Sequence, residues 1–231
     1  MAHKEKTFSL GVIMLNTHFP RVLGDIGNPN SFSFDVIYER VNSAAVSAIV
    51  TAEGVNKEVK KDIFNSIKTL EDKNVDLIVT TCGFLGEMQR ELKAFAHTPI
   101  ITSSLLTLPF VRTFLNKQED KVGVLTFDAN KLNEKHFGGF YSNDIIVSDI
   151  PKNGVLYQTI KEDLLTLDIN QAQQEVVAAA NKLIALNPSI KAIILECTNL
   201  SPYIQAIREA TKRPVFDIIQ AINWFKETKS T

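Results

Sequence analysis

The chain carries two cysteines, Cys82 and Cys197, and each stands where a run of aliphatic and β-branched residues gives way to a polar turn. A helical stretch begins soon after each one, and the free N–H groups at such a start can lower a thiol pKa and hold a carboxylate. Thr81 and Thr198 place hydroxyl donors beside them. Two cysteines make no disulfide framework, so in a reducing compartment both are expected to be free thiols. Two thiols facing one carbon from opposite sides could act as base and acid, one removing a proton and the other supplying it. The plainer alternative is that cysteine is among the residue types most often buried, and two inert thiols merely fill space.

Spacing favours chemistry. Cys82 and Cys197 lie 115 residues apart, as do Pro99 and Pro214 (197 − 82 = 214 − 99 = 115), while Gly11-Val12 and Gly123-Val124 are 112 apart. Such a register is the mark of a duplicated unit, and the cysteines occupy the same place in both copies.

The elements that must position them repeat as well. Buried strands are expected at 8–15, 34–41, 75–82 and 99–103, and again at 121–127, 144–150, 190–197 and 214–219. Between the second and third strand of each set lies a stretch with helical spacing. One carries Val55, Val59, Ile63, Ile67 and Leu70, the other Val176, Val177, Ala180, Leu183 and Ile184. Helices are also expected at 87–95 and 201–210, the second with Ser201 as N-cap and Pro202 in its first turn. Strand, helix and strand in this order predict an α/β fold of two similar, mainly parallel sheets related by a pseudo-twofold axis. Ligands of such sheets bind beyond the carboxyl ends of the strands, where both cysteines stand. The chain is expected to cross from one half to the other between Ser103 and Lys121 and to fray over the tail FKETKST. The Gly- and Pro-rich stretch from Thr17 to Ser33 reads as a long ordered loop.

Composition narrows the partners. With 25 basic and 26 acidic residues, a net charge of −1 gives no electrostatic reason to expect nucleic acid or an anionic membrane, so a small molecule is the better expectation. No apolar run reaches the roughly 20 residues needed to span a bilayer, and the first ten residues lack a leader pattern, so a cytoplasmic protein is expected. There is no Gly-x-Gly-x-x-Gly, no Gly-Lys-Ser/Thr loop and no Cys-x-x-Cys, and the four histidines show no metal-ligand spacing. Neither a cofactor nor a metal is expected. Of the histidines, His18 is the one placed near the expected cleft; Arg21 and Asp25 in the loop could touch a ligand, but such residues more often brace a turn, and they stay outside the expected catalytic set.

TTCGF around Cys82 and LECTNL around Cys197 resemble the paired cysteine motifs of the aspartate/glutamate/hydantoin racemase superfamily, and the likeness spans nearly the whole chain. The resemblance implies a cofactor-independent racemase or epimerase of an amino acid or derivative, working by two-base proton transfer at the α-carbon, with Cys82 and Cys197 catalytic. It implies a homodimer, a first domain of residues 1–105 plus 211–231 beside a second of 106–210, and an active site at their interface. By the same resemblance Thr81, Gly83 and Thr198 hold the substrate α-carboxylate, Asn16 and Thr17 add the polar end of the first strand, Asn199 is a further substrate-binding candidate, and Lys161 meets a distal carboxylate. Asn199 departs from the histidine of glutamate racemases, and the loop lacks their aspartate-serine pair, which weighs against glutamate. Relatives of this architecture also suggest a hydantoin racemase, a maleate cis–trans isomerase or, less well with two cysteines, an arylmalonate decarboxylase. A reading of a different class is a two-lobed binding protein with inert thiols.

Overall fold

The computed structural model describes residues 8–116 and 118–229. Its strands are β1 Ser9–Leu15, β2 Asp35–Val41, β3 Leu77–Thr80, β4 Ile100–Ile101, β5 Lys121–Thr126, β6 Ile145–Asp149, β7 Ile190–Leu195 and β8 Val215–Phe216. Its α-helices are α1 Val46–Ile49, α2 Lys57–Asp72, α3 Gln89–Phe95, α4 Leu108–Arg112, α5 Val155–Lys161, α6 Ile169–Leu186, α7 Ile204–Thr211 and α8 Ile218–Glu227.

The strands form two four-stranded sheets, ordered β2-β1-β3-β4 and β6-β5-β7-β8, and every pairing is parallel. The expected α/β architecture of two alike parallel-sheet halves is therefore present, strand for strand. Apolar spacing explains the layers. Val59, Ile63, Ile67 and Leu70 of α2 are buried, as are Val176, Ala180 and Leu183 of α6. Side chains of Asn56 and Asp168 cap these helices by accepting from Val59 N and Gln171 N. Gly11 and Gly123 serve the same end in both halves. A Cβ on Gly11 would stand 3.0 Å from Val75 and 3.2 Å from Leu70, and on Gly123 3.0 Å from Leu183 and 3.2 Å from Ile190. The helix thus lies close over the first strand at equivalent points.

The main apolar core runs through both halves, while a second cluster covers the other face of the first sheet. There Leu10, Val12, Leu77 and Val79 meet Ile218 and Ile222 of α8. The last helix therefore crosses back to the first sheet, whereas β8 stays paired with β7 in the second. The return begins after Phe216.

Several boundaries differ from the sequence reading, for a common reason. β3 stops at Thr80 and β7 at Leu195, because the chain turns into 3-10 segments at Gly83–Met88 and Thr198–Tyr203 before α3 and α7 begin. Cys82 and Cys197 cap those segments, their carbonyls accepting from Leu85 N at 3.2 Å and Leu200 N at 3.0 Å. Ser201 is consequently no N-cap; it lies inside the 3-10 segment with Pro202. Of the strand expected at 214–219 only Val215–Phe216 pairs, since Asp217 caps α8 by accepting from Gln220 N. Phe225 to Glu227, expected to fray, extend that helix, and residues 230–231 lie outside the described ones. No helix among the described residues is long and apolar enough to cross a membrane.

Candidate active site

The carboxyl ends of β3 and β7 meet at the junction of the halves. Thr198 Oγ1 donates to the Thr81 carbonyl at 2.8 Å, and Ser104 Oγ donates to the Leu195 carbonyl at 2.6 Å. Two glycines permit the close approach. A Cβ on Gly83 would fall 2.4 Å from Glu196 Oε1 and 2.5 Å from the Glu196 carbonyl oxygen, and one on Gly86 would fall 2.0 Å from the His136 carbonyl oxygen.

Cys82 and Cys197 line one cleft there, together with Thr17, Thr81 and Asn199. Arg21 and Glu196 are its charged-type residues, and Leu15, Phe19, Val50, Phe84, Phe127 and Ile160 give it largely apolar walls. The cleft spans about 370 Å³, part of it open to solvent. Both cysteines are free thiols. Burial pushes each thiol's pKa up, and the neighbouring Glu196 carboxyl pushes in the same direction; Arg21 opposes this at Cys82.

The loop between β1 and β2 is ordered, as expected, and it closes the cleft. Arg21 pairs with Asp25 at 3.3 Å, with little of either side chain exposed, and donates to Thr17 Oγ1 at 2.9 Å. Its guanidinium lies 4.3 Å from the Phe19 ring centre. Asp25 accepts from Gly27 N at 2.6 Å and, from the other half, from Asn199 Nδ2 at 2.6 Å. Asn199 Oδ1 in turn accepts from Cys197 Sγ at 3.6 Å. A continuous polar path thus runs from Thr17 to the second thiol. Asp25 both braces the turn and reaches the site, and the second role escapes a reading of the loop alone.

Of the residues singled out in the sequence, Thr17, Thr81, Asn199 and both cysteines share the cleft. Thr198 and Gly83 join the halves behind it. Asn16 is not on the lining; its Nδ2 donates to the Asn42 carbonyl at 3.0 Å. Lys161 is exposed and paired with Glu162 and is not on the lining, while the preceding Ile160 is. Adjacent positions on a helix point about 100° apart, so α5 can present one of the two. His18 is exposed, and it and Phe19 donate their backbone N–H groups to Asp163 Oδ1, at 2.6 and 2.9 Å. Glu196 was missed, although a lone carboxylate ending the apolar run IKAIIL is a signal. Among the described residues no group of three or more His, Cys, Asp or Glu is placed to hold a metal ion.

The family model of the Asp/Glu/Hydantoin racemases matches residues 35–225. The chain belongs to that family. Among solved structures, allantoin racemase from Klebsiella pneumoniae shares this racemase-family fold with a TM-score of 0.61 at 16% identity, over 96% of this chain and 86% of that one. Curated relatives of the family member carry another name. A dimethylsulfoniopropionate lyase of Durusdinium sp. clade D is 27% identical over 95% of this chain and 74% of its own length. Dimethylsulfoniopropionate lyase 7 of Emiliania huxleyi (strain CCMP1516) is 30% identical over 94% of this chain and 66% of its own. This racemase-family chain is an enzyme, and its curated relatives bear the name of a lyase.

Proposed function

We propose that this chain removes the α-proton of a small carboxylate without a cofactor, and that its substrate is dimethylsulfoniopropionate or a close analogue. The observation that carries the reading is the shared cleft of Cys82 and Cys197, set at equivalent strand ends beside one guanidinium and otherwise mostly apolar walls. A thiolate takes the proton next to the carboxylate, the electron pair forms the carbon–carbon double bond, and the bond from the β-carbon to sulfur breaks. The products are acrylate, neutral dimethyl sulfide and the proton held on the thiol, which balances charge and atoms.

Three features support this substrate over an acidic amino acid. Lys161, the cation implied for a distal carboxylate, lies outside the cleft. Phe19, Phe84 and Phe127 offer aromatic faces suited to a methylated cation. Both thiols are pushed up by burial, and a sulfonium entering beside them favours the thiolate, whereas a second anion opposes it. Cys82 is the better candidate for the base, since Arg21 favours its ionised form while Cys197 donates its proton to Asn199.

Racemisation or epimerisation of an amino acid or derivative is the second reading, favoured by the equivalent positions of the two thiols in the repeat. Headspace gas chromatography of dimethyl sulfide from dimethylsulfoniopropionate, beside polarimetry with aspartate, glutamate, neutral amino acids and hydantoins, separates the readings. Dimethyl sulfide release that disappears in Cys82→Ala supports the lyase. Loss of optical rotation without release supports the racemase, and neither outcome with any substrate rejects both.

A further inference from the structure

Glu196 occupies in the second half the place that Thr81 occupies in the first: each directly precedes its cysteine, and 196 − 81 = 115. Leu15 N donates to Thr81 Oγ1 at 3.1 Å. The matching backbone group of Phe127 serves the Glu196 carboxyl, and the Thr126 hydroxyl donates to its Oε2 at 2.5 Å. The longer side chain therefore fills the threonine's role and brings one additional oxygen. Here the two halves differ chemically at the cleft.

Among the described residues that oxygen has no hydrogen-bond partner. Glu196 is 1% exposed and lines the cleft, and its Oε1 lies against Gly83 without a hydrogen bond. Among the described residues no cation pairs with it. The groups it meets in the cleft are the Cys82 and Cys197 thiols, from the turns after β3 and β7, and Arg21 from the loop, whose charge is already engaged by Asp25 at 3.3 Å. An ionised carboxylate in this position would be unpaired and would repel an anionic ligand, whereas a carboxylic acid supplies a donor.

We propose that Glu196 is a specificity-determining group that works as a neutral acid, its Oε1 hydroxyl donating a hydrogen bond to the substrate carboxylate, so that the cleft admits the anion only while Glu196 is protonated. The proposal rests on the reading that the cleft takes a carboxylate. Burial pushes the carboxyl up to about 7, against donation from Thr126, which places the change near neutrality. The thiols are pushed up, away from that range.

The test is a set of NMR titrations with propionate, which stays ionised throughout, from about pH 6 to about pH 9. The wild-type Kd is expected to be level below the carboxyl's pKa and to rise about tenfold per pH unit above it, as one linked proton requires. Glu196→Gln should bind propionate with no such rise. Thr126→Val removes a donor that favours the ionised form and should move the onset to higher pH, so the proposal stays testable if the first variant does not fold. A level wild-type Kd, the same rise in Glu196→Gln, an unmoved onset in Thr126→Val, or tighter binding with rising pH overturns it. Binding without the pH dependence defeats this proposal alone. No binding at any pH defeats the carboxylate reading, and this proposal with it.

Discussion

At the scale of single residues, the two thiols are unequal: the proposed elimination needs one base, Cys82, whereas racemisation needs both thiols. Cys82→Ala should lower turnover by about a hundred- to ten-thousand-fold, the usual range for a positioned acid or base, with near-unchanged circular dichroism. An effect below tenfold would return that thiol to the role of packing. Glu196 makes a separate prediction about stability. Its carboxyl is raised from 4.5 to about 7 in the fold, so between those values the folded chain holds a proton that the unfolded chain has lost. Stability therefore declines as pH rises through that window, by about 3 kcal/mol in all. Glu196→Gln should lose that decline, and urea denaturation at about pH 5 and about pH 8 measures it. The cysteines were legible from type and spacing because the repeat singles them out. Glu196 shows in the sequence only as a lone carboxylate ending an apolar run, because its meaning depends on which oxygen lacks a partner, and Lys161 lies off the lining because a helix presents neighbouring residues to different sides.

At the scale of elements, the decisive parts are the 3-10 segments that follow each cysteine and the loop that reaches over from the first half. Apolar runs revealed the strands but not where they end, since a buried residue in a turn reads like a buried residue in a strand. The Thr17–Ser33 loop was legible as ordered from its glycines and prolines, yet its bond from Asp25 to Asn199 spans the halves and leaves no local signature. Gly86→Ala tests how tightly these segments are set. The added methyl would fall 2.0 Å from the His136 carbonyl oxygen, a backbone atom that cannot swing aside. Destabilisation by about 1–3 kcal/mol, or more, is expected from such overpacking. A melting temperature equal to that of the wild type would show that the halves are looser than described.

At the scale of the whole molecule, a duplicated fold creates a symmetric pair of thiols, and the chain then breaks that symmetry around them. The sheet orders match exactly in kind, β2-β1-β3-β4 with β6-β5-β7-β8, and the offset of 115 residues carries one cysteine onto the other. The same offset carries Thr81 onto Glu196, where chemistry diverges. Repetition made the architecture readable in advance; the return of α8 to the first sheet is a long-range packing event set by Ile218 and Ile222 against Leu10, Val12, Leu77 and Val79. A symmetric frame with an asymmetric pocket suits one-way elimination as readily as reversible inversion. The most direct measurement of the central claim is α-proton exchange in deuterium oxide, followed by NMR with dimethylsulfoniopropionate, amino acids and hydantoins, for the wild type, Cys82→Ala and Cys197→Ala. Exchange or elimination with at least one substrate is expected in the wild type, with its loss in Cys82→Ala and, where the reaction is racemisation, in Cys197→Ala as well. Turnover at the wild-type rate in Cys82→Ala would contradict the account.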